Sequence, residues 1–201
     1  IVFERSDDGV VRAIEEVTGR ELWAFQPPEV VTARASRGLM SKLAVLRFDS
    51  NGDGVIDASG GDRVWLYFGL KRGGPHYYAL RVTSRSPQVL WQAGADALDG
   101  LADAWSTPTI ARVRVGGANQ NGEKLVIIVG GGVGPDVTAG NRMFMLDAAS
   151  GRVLWLAGNQ AGADRVPPLM THGIPGRIAV LDTDGDQFAG RLYAADVGGR
   201  L

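Results

Sequence analysis

Short apolar stretches recur along this chain, each closed by glycine, aspartate or another turn-forming residue. Positions 43–48, 64–70, 107–115, 125–130, 177–181 and 191–195 are rich in β-branched, aromatic and aliphatic residues and too short for helices, so they predict strands. Residues 12–23, 78–91 and 144–155 predict hairpins, each an apolar strand, a turn, and a second strand ending in a Leu-Trp pair: Leu22-Trp23, Leu90-Trp91 and Leu154-Trp155. The tryptophans follow one another at intervals of 68 and 64 residues. A strand-turn-strand unit repeated on this scale predicts the blades of an all-β β-propeller carrying long loops. Whole blades fall at 43–93 and 107–157, with a half blade at 1–25 and another at 174–201. About three blades cannot close a ring, so the propeller is expected to be part of a larger one. A large ring at one repeated position reads as packing between blades. Helical periodicity is weak: 29–42 allows one short helix, limited by Pro27-Pro28 and Gly38.

Composition narrows the functional classes. The chain has 201 residues, 45% hydrophobic and 21% charged, enough apolar content for a real core. A net charge of -1 argues against a nucleic-acid or anionic-membrane surface, and the lone basic turn Lys71-Arg72 does not change that. No apolar run is long enough to span a bilayer as a helix. Cysteine is absent, which excludes disulfides and thiolate metal sites. The 29 glycines lie between the strand-forming runs and read as turns.

The strongest chemical signal is Asp49-Ser50-Asn51-Gly52-Asp53-Gly54-Val55-Ile56-Asp57. Oxygen-bearing side chains occupy positions 1, 3, 5 and 9 of this loop and glycine occupies position 6, which is the spacing of a calcium loop. Asp49, Asn51, Asp53 and Asp57 would supply side-chain oxygens to Ca2+, and Val55 its carbonyl. Position 12 is Gly60, so the bidentate glutamate of an EF-hand is missing, and both flanks are strands. A strand-loop-strand site is therefore expected, with Asp62 close in sequence but not placeable from it. Calcium is abundant outside the cytoplasm, so such a loop favours an extracytoplasmic setting. Asp182, Asp184 and Asp186 match positions 1, 3 and 5 at the corresponding connection, but Gln187 and Gly190 break positions 6 and 9. The connection at 116–122 reads as a plain turn.

Other candidates carry less. His76 and His172 are the only histidines and lie far apart, without a zinc or triad pattern around them. Asp7-Asp8 and Glu15-Glu16 read as solvated turns, since adjacent strand residues face opposite ways. Gly130-Gly131-Gly132-Val133-Gly134 lacks the Gly-Lys-Ser/Thr and following helix of a phosphate loop and reads as a connection between strands. No catalytic constellation emerges, and the expectation is a protein that is not an enzyme.

Several segments together resemble the C-terminal propeller of the PilY1 family. They are the 49–57 loop with 61–74 and 77–80, Trp105-Ser106-Thr107-Pro108, 143–147 with 151–155, Met170-Thr171 with Ile174-Pro175, and 182–186 with 191–193 and 196–199. They run in order over residues 40–201. The tryptophan hairpins alone are shared with quinoprotein-like blades. The resemblance implies a modified propeller with calcium held by Asp49, Asn51, Asp53, Val55 and Asp57. It also implies a type IV pilus biogenesis factor and tip-associated adhesin, working in pilus extension, twitching motility and attachment. Minor pilins and a host or abiotic surface would be its partners. Its place would be the pilus tip, the cell surface, or the outer membrane and periplasm of a bacterium. The family's N-terminal region is not in this chain, and no Arg-Gly-Asp tripeptide occurs. A quinoprotein-like dehydrogenase propeller and a metal-free outer-membrane assembly scaffold are the alternatives.

Overall fold

The computed structural model describes residues 1–32, 40–57, 59–83, 86–115, 122–160 and 162–201. Four antiparallel meanders follow one another along the chain. The first holds β1 (Val2–Arg5), β2 (Val11–Ile14) and β3 (Glu21–Phe25), followed by α1 (Pro28–Thr32). The second holds β4 (Ala44–Phe48), β5 (Arg63–Gly69), β6 (His76–Arg81) and β7 (Gln88–Gly94) in simple sequential order. The third repeats that order with β8 (Thr109–Val115), β9 (Gly122–Gly130), β10 (Arg142–Asp147) and β11 (Val153–Gly158). The fourth pairs β12 (Ala179–Leu181) with β13 (Arg191–Tyr193).

The two central sheets are apolar on both faces, which explains their continuous hydrophobic runs. In β5, Leu66 and Phe68 join Val11, Phe3 and Trp23 of the first sheet in one core cluster. Trp65 and Tyr67, on the other face, join Ile127, Val129, Phe144 and Leu146 of the third sheet. Val126, Ile128 and Met143 then face Val180 and Leu192 of the fourth. The sheets therefore stack face to face in chain order.

The three Leu-Trp hairpins share one device. Each has a β-bulge at the leucine, after which the tryptophan faces Ala13, Ala79 or Met145 of the preceding strand. The bulge turns the strand locally and increases its twist at the tryptophan.

Some boundaries differ from expectation. The first meander has three strands where the hairpin at 12–23 predicted two, because the alternating Val2–Arg5 segment pairs with β2, Val2 opposite Ile14. The third and fourth sheets start at Thr109 and Ala179; Pro108 has no N–H to give a ladder. β9 reaches back to Gly122, opposite Val115. The helix expected at 29–42 is the short Pro28–Thr32 turn, and 33–39 lie outside the described residues. The turn expected at 116–122 also falls outside them, apart from Gly122.

Candidate metal centre

The 49–57 loop leaves the end of β4 and returns to β5, whose ends pair Phe48 with Arg63. Asp49 organises the first turn: Oδ1 accepts the Gly52 N–H at 2.7 Å and Oδ2 accepts the Gly54 N–H at 2.8 Å. Asn51 Oδ1 accepts the Asp53 N–H at 3.1 Å, and its amide donates to Asp53 Oδ2 at 2.8 Å. Asp53 Oδ1 accepts from Val55 N–H at 2.7 Å. Gly52 and Gly54 both have left-handed φ, 72° and 82°, which lets successive N–H groups turn toward one carboxylate. Arg47 Nη2 holds the Gly54 carbonyl at 2.9 Å.

Asp62 closes the loop. It is 6% exposed. Its Oδ1 accepts both the N–H and hydroxyl of Ser50 at 2.8 Å, and its Oδ2 accepts the Asp57 N–H at 2.9 Å. One carboxylate thus ties the loop's second residue to its ninth. The Ser50 N–H, then the Asp57 N–H and Ser50 hydroxyl, hold the Asp62 carboxyl below the usual aspartate range. Sequence placed Asp62 nearby; its role is visible only once β5 fixes it under the loop. The Asp57 carboxylate is turned toward the following residues. Its Oδ1 accepts the Ser59 hydroxyl at 2.7 Å, the Gly60 N–H at 2.6 Å and the Ser59 N–H at 2.8 Å, and these bonds lower its pKa, the Ser59 hydroxyl first and the Gly60 N–H next. The donor set is all oxygen and suits a hard cation. Asp49, Asn51 and Asp53 converge on one turn, while Asp57 stands apart from them.

The second acidic loop, between β12 and β13, copies the first. Asp182 Oδ1 accepts the Gly185 N–H at 2.7 Å and Oδ2 the Gln187 N–H at 2.8 Å; Asp186 Oδ1 accepts from Phe188 N–H at 2.9 Å. Gln187 takes φ 69°, the left-handed conformation that Gly54 takes in the first loop. A sequence match that requires glycine at position 6 therefore misses this likeness. Among the described residues, Asp182, Asp184 and Asp186 are the acidic group whose oxygens all lie within 4.8 Å of one another. The Gln187 N–H, chief among its backbone donors, holds Asp182 below the usual range. Arg114 pairs with Asp186 and its Cζ lies 4.1 Å from the Phe188 ring centroid, placing a cation beside this cluster.

The remaining candidates are structural. Asp7 and Asp8 pair with Arg5 and Arg12, and Glu15 with Arg20, all at the surface. His76 packs against Gly94, and His172 Nδ1 lies 2.7 Å from Arg200 Nη1. The Gly130–Gly132 run is a seam between loops: a Cβ on Gly132 would meet the Asp103 carbonyl at 1.8 Å. No helix of the described residues is long and apolar enough to cross a membrane.

No family model matches the chain. Two Xylella fastidiosa proteins, each described as a type IV pilus biogenesis factor PilY1 homolog, are 27% identical to it over its whole length. The chain spans only 14% and 15% of those relatives. The crystal structure of the Pseudomonas aeruginosa PilY1 C-terminal domain shares its fold, with a TM-score of 0.67 at 21% identity. That match covers 97% of this chain and 36% of the domain. The resemblance to PilY1 therefore holds in sequence and in fold.

Proposed function

We propose that this chain is a calcium-binding, non-catalytic part of a type IV pilus biogenesis protein. Its sheets are read as blades of a modified β-propeller, part of a larger ring. Four meanders stacked face to face in chain order support that reading. The protein would act outside the cytoplasm, at the pilus tip, cell surface, or outer membrane and periplasm. Its roles would be pilus extension, twitching motility and attachment to host or abiotic surfaces, with minor pilins as partners.

The observation that carries the reading is the 49–57 loop, an all-oxygen turn fastened at both ends by Asp62, in a chain similar throughout its length to PilY1 homologues. Asp49, Asn51, Asp53, the Val55 carbonyl and Asp57 would hold Ca2+. The ion would supply positive charge between carboxylates that otherwise repel one another. The Ser59 and Gly60 donors all bond Asp57 Oδ1, so its Oδ2 is the oxygen that would turn to the ion. An ordered turn at the end of β4 and β5 would then offer a fixed docking edge to a minor pilin.

Calorimetric titration of calcium into the chain, with Asp53→Ala and Asp57→Ala alongside, tests this. Saturable binding in the range of about micromolar to millimolar, lost in Asp53→Ala and weakened in Asp57→Ala, is expected. Heat that survives Asp53→Ala and disappears in Asp184→Ala would move the site to the second loop. No heat in the parent chain would leave 49–57 as a turn and remove the calcium half of the proposal.

A further inference from the structure

On the face of the second sheet that meets the third, at the β5 end next to the 49–57 loop, two arginines stand without a carboxylate. Arg63 and Arg81 make no ion pair among the described residues. They lie on one face: Trp65 is directly opposite Arg81 in the β5–β6 ladder, and Arg63 precedes Trp65 by one pleat. Gln88 lies opposite Arg81 on its other side. These side chains, with Gly61, Asp62 and Thr83, line a cavity of about 350 Å3.

The groups are held ready. The Arg63 guanidinium lies between two rings, 5.5 Å from the centroids of both Phe48 and Trp65. Stacking of this kind leaves the edge donors of the guanidinium free. The Thr83 hydroxyl accepts the Val64 N–H at 2.9 Å, which leaves its own proton to donate. Trp65 is 6% exposed, and its indole N–H is buried with no acceptor among the described residues. A buried donor without a partner is costly, and supplying an acceptor removes that cost. Asp62 is the one carboxylate in the lining, and both its oxygens already accept from Ser50 and Asp57. Every other polar group around the cavity can donate, and the two arginines outweigh the single Asp62 carboxylate by one positive charge.

We infer that this cavity is an oxyanion-binding site, in which Arg63 and Arg81 hold a carboxylate or phosphate and Trp65, Thr83 and Gln88 complete its hydrogen bonds. Forked guanidinium donors match both anions. The site does not depend on calcium, although Asp62 is shared by its wall and by the 49–57 loop.

Five indole N–H signals are expected from the 15N-labelled full chain, which has five tryptophans; Trp65→Phe assigns the one that matters. The chain, in calcium-free buffer without chelator, is titrated with sodium phosphate and separately with sodium succinate. Sodium chloride at matched ionic strength is the control. The Trp65 signal should move saturably, and Arg81→Gln should weaken binding about tenfold, the loss of one charged hydrogen-bonding partner. Arg63→Gln is a second variant, should Arg81→Gln disturb the fold seen in the same spectra. Movement with either anion supports the site, and the one that binds identifies its geometry. A Trp65 signal unmoved by both, moved equally by chloride, or giving the parent curve in both arginine variants overturns it.

Discussion

The Trp91 indole N–H donates to the Ala148 carbonyl at 2.9 Å, joining the last strand of the second sheet to the β10–β11 turn of the third. The Tyr67 hydroxyl donates to the same carbonyl at 3.1 Å. Gly151 lies against the indole, where a Cβ would meet the ring at 2.7 Å. One turn of the third sheet is thus shaped to receive one ring of the second. Trp23 enters the corresponding cluster beside Val82, which stands where Ala148 stands in the next meander.

Replacing Trp91 by phenylalanine removes that donor and part of a buried ring. The expected cost is about 2–3 kcal/mol, or roughly 4–12 °C in melting temperature for a chain of this size. Trp155 occupies the same position after the same bulge but is half-buried and borders an open groove toward the fourth sheet. Trp155→Phe should therefore cost clearly less. Thermal melts of the two variants side by side decide it, and equal losses would remove the special role of the Ala148 contact.

The hairpins were legible because the Leu-Trp pair marks a bulged second strand, but each strand runs two or three residues beyond the tryptophan where it was expected to end, to Phe25, Gly94 and Gly158. The doubly buried strands were legible because 64–70 and 125–130 are unbroken apolar runs. β1 was not, since Val2–Arg5 is short, half charged, and becomes a strand only through pairing with Val11–Ile14. The first calcium-type loop could be read as a donor pattern, but the turning of Asp57 toward Ser59 depends on local hydrogen bonds that spacing does not encode. The second loop was legible at positions 1, 3 and 5 but not at position 6, where Gln187 takes the left-handed φ that spacing assigns to glycine. The paired arginines beside Trp65 were invisible, because they meet only when β5 and β6 are in register.

Gly132 separates the phosphate-loop reading of the glycine run from the packing one. Its φ is 83°, and a Cβ there would sit 1.8 Å from the Asp103 carbonyl oxygen. Gly132→Ala must push apart the 103 and 174 segments that bridge to residues 132–133. A loss of more than about 4 kcal/mol is expected, enough to reduce soluble yield. A stable, well-folded Gly132→Ala chain in denaturant titration would contradict this packing.

Acid should loosen the loops in a defined direction. Asp57 and Asp62 are held below the ordinary aspartate value of 3.8 by hydrogen bonds made only in the folded state. Their unfolded forms bind protons more readily, so their contribution is intact above that value and is lost as pH falls through the lower folded values. In calcium-free protein the amide signals of Ser50 and Asp57 should titrate together with a midpoint below 3.8. A midpoint at or above that value would mean that Asp62 does not tie the loop. Calcium should lower the midpoint further if the ion binds there.

Gly54 and Gln187 allow the backbone cost of position 6 to be measured twice. Gly54 has φ 82° with nothing within 4 Å of a would-be Cβ, so Gly54→Ala tests conformation alone. The left-handed penalty of about 1–2 kcal/mol exceeds the roughly 0.5–1 kcal/mol that alanine recovers by restricting the unfolded chain, leaving a net loss of up to about 1.5 kcal/mol. Gln187, at φ 69°, already bears that penalty. Gln187→Gly should relieve it and forfeit a similar unfolded-state term, a net gain of up to about 1.5 kcal/mol. Melting temperatures of both variants, measured without calcium, give the two signs. A gain from Gly54→Ala would be incompatible with the left-handed turn that aims the Gly52 and Gly54 N–H groups at Asp49.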